Sequence, residues 1–305
     1  MNEVLNTRED DAILSVRSVS KRFGDIHALN NVSFNVHPGE MVGVLGENGA
    51  GKSTLFSIIS GLNSPTAGSV SLLGSDPRQP ATRRNIGVTP QGTGVDRRMR
   101  VGDFLNFVAF HFATRSLVDD ILEQFRLTDL ATKVIGSLSG GQQRLVSVAA
   151  AFLADAPLTI LDEPTTGLDT VTRSAIWESI RSITGNDRAL MVSSHYIEEI
   201  EHLCDRVIVM QKGRLIADSE TQMLLSSSSA SVIGLGGTDI TELSGQGRAY
   251  EIIGREGDQV QLLAPDVKRA LTALGEDGWP FDQIEISHPS LEQAFITMTA
   301  KEYES

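Results

Sequence analysis

Short apolar runs alternate with amphipathic stretches along the first two thirds of the chain. Residues 32–36 alternate apolar and polar side chains, which predicts a half-exposed strand, whereas residues 41–45 form an apolar run typical of a strand buried on both faces. Similar apolar runs are 158–161, 190–192 and 207–210. Between them, isoleucines recur at helical spacing at positions 176, 180 and 183. Strands that alternate with helices predict an α/β core with a largely parallel sheet.

Two stretches interrupt this alternation. Residues 96–154 carry no strand pattern, so we expect them to form a helical subdomain inserted into the core. Residues 226–237 are rich in serine and glycine, which predicts a linker. The chain is therefore expected to comprise an N-terminal lead at 1–12, a core domain at 13–225, the linker, and a C-terminal domain at 238–305.

The C-terminal domain has its own pattern. Residues 250–253 and 259–263 predict strands, and a helical stripe follows at Val267, Ala270, Leu271 and Leu274. Ser290 and Gln293 have the spacing of a capping box that opens a last helix. These elements predict a small α+β appendage.

The charge and the apolar content narrow the class of protein. The net charge of −13 argues against a nucleic acid as partner, because binding phosphates requires a basic face. The longest apolar stretches are too short or too polar for a membrane-spanning helix, and residues 1–11 are acidic and polar, unlike a signal peptide.

The chain has one cysteine, Cys204, which excludes an internal disulfide and fits a reducing compartment. Its helical spacing with Ile197 and Ile200 predicts that it packs in the core. We therefore expect a cytoplasmic protein that associates with the inner face of a membrane only through a partner.

Residues 46–53, Gly-Glu-Asn-Gly-Ala-Gly-Lys-Ser, follow the apolar run at 41–45 and precede a helical pattern. This is the order of a phosphate-binding loop, in which glycines let backbone N–H groups surround phosphate oxygens and the helix N-terminus faces the same charge. Lys52 is expected to contact the β- and γ-phosphates, and the Ser53 hydroxyl to bind Mg²⁺. The motif predicts that the chain binds a nucleoside triphosphate, ATP.

The strand predicted at 158–161 ends in two acids, Asp162 and Glu163. After a phosphate-binding loop, the first acid is expected to hold Mg²⁺, directly or through water, and the second to orient and deprotonate the attacking water. Adjacent acids alone are a weak signal, since many strands end in an exposed acid. Together with the loop, they predict ATP hydrolysis.

Leu138-Ser139-Gly140-Gly141-Gln142 resembles the signature motif of the ABC ATPases, which drive ABC transporters. The resemblance covers about residues 13–217 and implies a P-loop NTPase core of ABC type, with an antiparallel β subdomain and the inserted helical subdomain. In that family the motif binds the γ-phosphate of a nucleotide held by a second subunit. The resemblance therefore implies a head-to-tail dimer that encloses two ATP molecules, and since both half-sites are complete here, a homodimer suffices.

Other positions match the family in order. Phe23 corresponds to the aromatic residue that stacks on adenine, and Gln91 to the glutamine that contacts Mg²⁺ and water. Asp169 closes the loop Thr166-Gly167-Leu168-Asp169, which in the family crosses between subunits. His195 corresponds to the histidine that contacts the γ-phosphate and orients the water.

These assignments predict a complete site. The catalytic residues are Glu163, His195, Gln91 and Lys52, and the metal-binding residues are Ser53, Gln91 and Asp162. The nucleotide-binding residues are Phe23, Gly46, Glu47, Asn48, Gly49, Ala50, Gly51, Lys52, Ser53, Thr54, Ser139, Gly140, Gly141, Gln142 and Asp169. The predicted cofactors are ATP and Mg²⁺.

Four phenylalanines, at positions 104, 107, 110 and 112, follow the Gln91 loop. In the family this region docks the cytoplasmic helix of the membrane subunit. Positions 104, 107 and 110 share one helical face, so we expect most of these rings to belong to the core of the helical subdomain and at least one to lie in the docking groove.

The tail at 284–299 resembles the closing segment of exporter ATPases of the drug, polysaccharide and lipid-linked type, such as daunorubicin-resistance and nodulation-factor exporters. The resemblance implies export through separate membrane-spanning permease subunits. The alternatives are an importer ATPase, a soluble ABC ATPase of translation or DNA repair, and a regulatory subunit that does not hydrolyse ATP. Glu163 and His195 argue against the last of these.

Overall fold

The computed structural model describes residues 11–89, 95–184, 187–223, 231–236, 249–256, 259–264, 266–276 and 284–287. The chain divides into two compact units, Met1–Asp218 and Ser219–Ser305. In the described part of the chain, no helix is both long and apolar enough to cross a membrane.

A six-stranded sheet forms the centre of the first unit. Its strands are β3 (Met41–Leu45), β5 (Ile86–Thr89), β6 (Leu158–Asp162), β7 (Ala189–Ser194), β8 (Arg206–Gln211) and β9 (Arg214–Glu220), in the order β5-β6-β7-β3-β8-β9. The pairs from β5 to β8 are parallel, and β3, β6 and β7 are buried along their whole length. This confirms the predicted parallel α/β core.

A smaller antiparallel sheet accompanies the central one. Its strands are β1 (Leu14–Phe23), β2 (Ile26–Val36) and β4 (Ala67–Leu72), in the order β2-β1-β4. Leu14 pairs with Val36 on one side and with Leu72 on the other, and all three side chains are fully buried. Their core is continuous with that of the central sheet, since both contribute to one hydrophobic cluster.

Helices connect and cover these strands. In the first unit they are α1 (Lys52–Ile59), α2 (Pro80–Arg83), α3 (Val101–Phe112), α4 (Val118–Gln124), α5 (Gly140–Phe152), α6 (Thr170–Ile183) and α7 (Ile197–Leu203). From 95 to 154 the described residues contain α3, α4, α5 and three short 3₁₀ turns, with one isolated bridge between Arg100 and Val134. This region is helical, as predicted. Cys204 follows α7 and is buried, as its spacing predicted.

We predicted that most of the four phenylalanines on α3 pack in the core of the helical subdomain. This prediction is wrong for Phe107 and Phe110. Phe107 is 54% exposed and Phe110 is 62% exposed. The face of α3 that is fully buried carries Val101, Leu105 and Ala109 instead, at a spacing of four residues. Phe104 and Phe112 are partly buried.

The second unit contains a four-stranded antiparallel sheet and one described helix. The strands are β10 (Ser231–Gly236), β11 (Glu251–Glu256), β12 (Gln259–Ala264) and β13 (Ile284–Ser287), in the order β11-β12-β10-β13, and the helix is α8 (Val267–Glu276). Ala270 and Leu274 of α8 belong to the same buried cluster as Ile233, Leu235 and Leu262. The predicted helix that opens at Ser290 lies outside the described residues.

The prediction that residues 226–237 form a linker is wrong over half its length. Ser231–Gly236 is the strand β10, which pairs with β12 on one side and β13 on the other. Serine and glycine weaken a strand, but Val232, Ile233 and Leu235 are buried in the sheet, and this packing outweighs the composition. The first compact unit also ends earlier than predicted, at Asp218 instead of 225.

Candidate functional site

The loop between β3 and α1 has a backbone that only glycine adopts easily. Gly49 and Gly51 have φ values of +85° and +105°. A Cβ on Gly51 would lie 2.6 Å from the carbonyl oxygen of Ala28, and one on Gly46 would lie 2.5 Å from that of Met210. Gly51 is also the N-cap of α1 and provides no side-chain cap. The first N–H groups of α1 are therefore available to an anion held by the loop.

Lys52 places a positive charge inside this loop. Its Nζ donates to the carbonyl oxygens of Gly46, at 2.5 Å, and Glu47, at 3.1 Å, and the residue is only 5% exposed. Burial lowers the pKa of Lys52, and the nearby carboxylates of Glu163 and Asp162 oppose this shift. The loop therefore holds a desolvated cation that anionic oxygens can bind in place of the carbonyls.

Asp162 ends β6 with its carboxylate fixed by the neighbouring strands. It is buried, and its Oδ1 accepts a hydrogen bond from the Ser193 hydroxyl of β7. Its backbone N–H donates to Oγ1 of Thr89, on β5, at 3.1 Å. Since β6, β7 and β3 are adjacent, their carboxyl ends meet at one edge of the sheet, and the phosphate-binding loop follows β3 at that same edge.

Glu163 adopts an uncommon backbone conformation next to Asp162. Its φ is +49°, in the left-handed region, which costs a non-glycine residue about 1–2 kcal/mol. Its N–H donates to the carbonyl and the hydroxyl of Ser193, at 3.1 and 3.0 Å. Its Oε2 accepts from Oγ1 of Thr166 at 3.0 Å, and its Oε1 lies 3.5 Å from Nδ1 of His195. The fold thus brings together the two residues predicted to handle the attacking water.

The signature segment forms the start of α5. Ser139 is the N-cap, and its Oγ accepts from the N–H of Gln142 at 3.2 Å, while Oε1 of Gln142 accepts from the N–H of Ser139 at 3.1 Å. Ser139 and Gly140 are exposed, and a Cβ on Gly140 would meet no atom within 4 Å. This helix N-terminus therefore faces open space within the subunit.

The remaining predicted residues are placed as follows. Asp169 caps α6: its Oδ1 accepts from the N–H of Thr172 at 3.0 Å, and hydrogen bonds from the Thr172 side chain and backbone lower the pKa of Asp169. Phe23 ends β1 and is 48% exposed, with Nζ of Lys21 4.9 Å from its ring centroid. Gln91 lies outside the described residues.

Sequence reasoning missed two buried charged residues. Arg144 on α5 is 7% exposed and donates to three successive carbonyl oxygens: Nη2 to Asp162, at 2.6 Å, and Glu163, at 2.8 Å, and Nε to Pro164, at 2.9 Å. An arginine directly before the apolar stretch 145–154 was the available signal, since a charge on a buried helix face needs a partner.

The second is Glu199 on α7, which is fully buried. Its Oε1 accepts from Oγ1 of Thr165 at 2.7 Å and from Nε1 of Trp177 at 3.1 Å, while its Oε2 has no hydrogen-bond partner among the described residues. Burial raises the pKa of Glu199, and the side chains of Ser194, Thr165 and Trp177 and the charge of Arg144 oppose the shift. Glu199 therefore joins the loop after Glu163, through Thr165, to α6, through Trp177.

Comparison with known proteins identifies this arrangement. The family described as "ABC transporter" matches residues 29–166. The Nod factor export ATP-binding protein I of Rhizobium meliloti (strain 1021) is 36% identical over 302 residues, which is 95% of this chain and 88% of that protein. The protein of the same name from Rhizobium sp. (strain N33) is 34% identical over 301 residues, which is 95% of this chain and 98% of that protein.

Solved structures agree with the sequence relatives. CbiO1 from Clostridium perfringens, described as part of the ABC transporter complex CbiONQ, has a TM-score of 0.64 and 28% identity, over 71% of this chain and 91% of that one. A dimeric ATP-binding cassette in a post-hydrolysis state, bound to ADP and Pi, has a TM-score of 0.61 and 25% identity, over 68% and 98%. The fold expected from the signature segment is confirmed, and the chain belongs to the ABC transporter family as an ATP-binding subunit that hydrolyses ATP.

Proposed function

We propose that this chain works as a homodimer that encloses two Mg-ATP and drives export through separate membrane-spanning subunits, at the cytoplasmic face of a membrane. The observation that carries the proposal is the grouping of Lys52, Glu163 and His195 at one edge of the sheet. The Glu163 carboxylate lies next to the His195 imidazole, and it acts on the Lys52 ammonium electrostatically. A phosphate-binding cation and a base for water are thus assembled in one place.

The donor atoms at this edge suit Mg²⁺. The carboxylate of Asp162 and the hydroxyl of Ser53 are oxygen ligands, which Mg²⁺ prefers. Gln91 completes the proposed set. When bound, Mg²⁺ supplies positive charge to the β- and γ-phosphates.

The chain's own residues then account for hydrolysis. Lys52 exchanges its carbonyl partners for phosphate oxygens and fixes the γ-phosphate against the loop. Glu163 accepts a proton from a water, whose oxygen bonds to the γ-phosphorus as the bond to the β,γ-bridging oxygen breaks, giving ADP and phosphate. His195 holds the water and the γ-phosphate in line.

The proposed homodimer follows from the signature segment. The exposed N-terminus of α5 carries Ser139 and the N–H groups of Gly140 and Gly141, which bind an anion well. In a head-to-tail dimer this end meets the γ-phosphate held by the partner's loop, and the adenine stacks on Phe23 of the loop-bearing subunit. Hydrolysis removes the γ-phosphate contacts, and the dimer opens.

Two observations support a membrane partner and export. Phe107 and Phe110 are two exposed rings on α3, and both lie close to the His111 ring. The guanidinium of Arg115 is 4.7 Å from the Phe110 ring centroid. Exposed aromatic side chains close together on one helix are typical of protein interfaces. The relatives that match 95% of the chain, including the C-terminal unit, are Nod factor export proteins.

The catalytic assignment is tested with Glu163→Gln, using Glu178→Gln as the matched surface control. The first variant removes the base and keeps the nucleotide contacts, so turnover should fall by about 10²- to 10⁴-fold while ATP produces a stable dimer. The control, exposed on α6, should behave like the parent. Unchanged hydrolysis in Glu163→Gln would remove Glu163 from the mechanism.

The transport assignment is tested by purifying the tagged chain from detergent-solubilised membranes and identifying its partners. Membrane-spanning subunits without a substrate-binding protein support export. A substrate-binding protein in the complex points to import, and recovery only with ribosomes or nucleic acid contradicts the transport role.

A further inference from the structure

We propose that Arg144 is a positioning residue, which couples the nucleotide contact made by the N-terminus of α5 to the catalytic conformation of Glu163 in the same subunit. This inference rests on the proposed function, because it takes Glu163 as the base and Ser139 as the contact to the partner's nucleotide. It adds a physical link between the two sites of the dimer.

The contact geometry fixes the peptide units around Glu163. Arg144 lies five residues after the N-cap Ser139, about 7–8 Å along the helix. Its planar guanidinium binds the carbonyls of Asp162, Glu163 and Pro164 at 2.6–2.9 Å. A rigid fork of donors suits three acceptors that point to one place, whereas a lysine ammonium on a flexible stem does not hold them in a fixed plane.

Both backbone polar groups of Glu163 are held by hydrogen bonds. Its N–H donates to Ser193 of β7. Its carbonyl accepts from Arg144 of α5 at 2.8 Å and, at the longer distance of 3.4 Å, from the N–H of Thr166. The residue keeps a φ of +49°, which persists only where the surroundings hold it. If Arg144 releases the carbonyl, only the 3.4 Å contact from the Thr166 N–H remains on it. The peptide unit can then rotate, and the carboxylate leaves its place near His195.

The helix α5 is suited to transmit a displacement. Its far end packs closely on β5, since a Cβ on Gly87 would lie 2.1 Å from the carbonyl oxygen of Ala151. Its near end, at Ser139, is exposed. A force on Ser139 therefore acts on a rigid element anchored at its C-terminal end, and Arg144 lies between the two.

The surroundings of Arg144 favour a role beyond packing. Burial lowers the pKa of Arg144, and the carboxylates of Asp162, Glu199 and Glu163 oppose this shift. Burying a charge against carbonyl groups is a costly way to stabilise a core, and an apolar residue of similar size often serves equally well. Unlike an apolar side chain, the guanidinium makes directional hydrogen bonds to the backbone around Glu163, the proposed base.

The test is a double-mutant cycle of Arg144→Lys with Glu163→Gln, with exposed Arg126→Lys as the matched control. Arg144→Lys keeps the charge, so we expect melting and ATP-driven dimer formation close to those of the parent. Turnover should fall by about 100-fold with KM for ATP changed less than about threefold, since a base displaced by about 1 Å loses that much rate. In the Glu163→Gln background, Arg144→Lys should cost no further turnover.

The other outcomes of this cycle either contradict the inference, contradict the proposed function, or lead to a second variant. Multiplied losses in the double variant, or a raised KM with unchanged kcat, would overturn the inference, because Arg144 would then act independently of the base. If Arg144→Lys melts early, Arg144→Gln, which keeps an amide donor, is measured in the same cycle by single-turnover hydrolysis. If Glu163→Gln alone hydrolyses ATP normally, the proposed function fails whatever Arg144 does.

Discussion

Nδ1 of His195 lies 3.5 Å from Oε1 of Glu163, and the His195 ring centroid is 4.1 Å from that of Tyr196. The guanidinium of Arg173, on α6, lies 4.9 Å from the centroid of the Tyr196 ring. The imidazole therefore lies next to both a carboxylate and an aromatic ring. Neighbours on the imidazole restrict its orientation, which suits the proposed role of His195 in aligning the water.

Replacing His195 with alanine should lower turnover by about 100-fold, because water and γ-phosphate lose alignment while Lys52 and Asp162 remain. The measurement is steady-state phosphate release. The control is His37→Ala, since His37 precedes β3 at the end of the sheet opposite the phosphate-binding loop. Equal loss in both variants would contradict a specific role for His195.

Replacing Lys52 with alanine should weaken ATP binding by about 10- to 100-fold, as expected for losing charged hydrogen bonds to phosphate. Fluorescent-nucleotide titration measures this affinity. Lys133→Ala, at an exposed position, is the control. An unchanged dissociation constant for the first variant would show that the loop does not use this ammonium.

The double variant Phe107→Ala and Phe110→Ala should leave the free energy of unfolding within about 0.5 kcal/mol of the parent, because both rings are exposed. Its recovery with membrane subunits should drop sharply. Phe125→Ala is the contrast: that ring is fully buried and packs 5.6 Å from Phe152, so its loss should cost about 3–5 kcal/mol. Normal recovery of the double variant would exclude this docking surface.

The pH dependence of stability should change in Glu199→Gln. The pKa of Glu199 in the folded chain is raised by burial above its ordinary value of 4.5, so above pH 4.5 the folded state keeps a proton that the unfolded state releases. The parent therefore loses stability as pH rises through the interval between these two pKa values. The glutamine variant does not titrate, so its stability relative to the parent should rise across that interval.

Chemical denaturation at a series of pH values measures this difference. Glu198→Gln is the control, because Glu198 lies next to Glu199 on α7 but is largely exposed. A pH-independent difference between Glu199→Gln and the parent would mean that Glu199 is ionised in the folded chain throughout.

The features that the sequence predicts well depend on residues that are close together in the chain. The loop at 46–53 needs glycine at particular backbone angles, and Ser139 with Gln142 forms a cap within four residues, so both can be read without knowing the fold. The order of buried strands follows similarly from continuous apolar runs.

The features that the sequence did not predict depend on contacts between residues that are distant in sequence. Arg144 donates to the carbonyl of Glu163, which is 19 positions away in the sequence, and Glu199 accepts from Thr165, which is 34 positions away. Which face of α3 is buried depends on its neighbours, so the exposure of Phe107 could not be settled by spacing alone. The strand β10 was missed because its serine and glycine content conceals its pairing with β12 and β13.

The hydrogen bonds of Lys52 and Ser139 give one side chain in each half of the site an intramolecular partner. Lys52 holds two carbonyls of its own loop, and Ser139 caps its own helix. Nucleotide must therefore displace an intramolecular partner from each of these two side chains, and each side chain regains that partner when the nucleotide leaves. Binding at these two side chains is thus an exchange of partners with a small net free energy, which suits a protein that binds and releases nucleotide in every turnover.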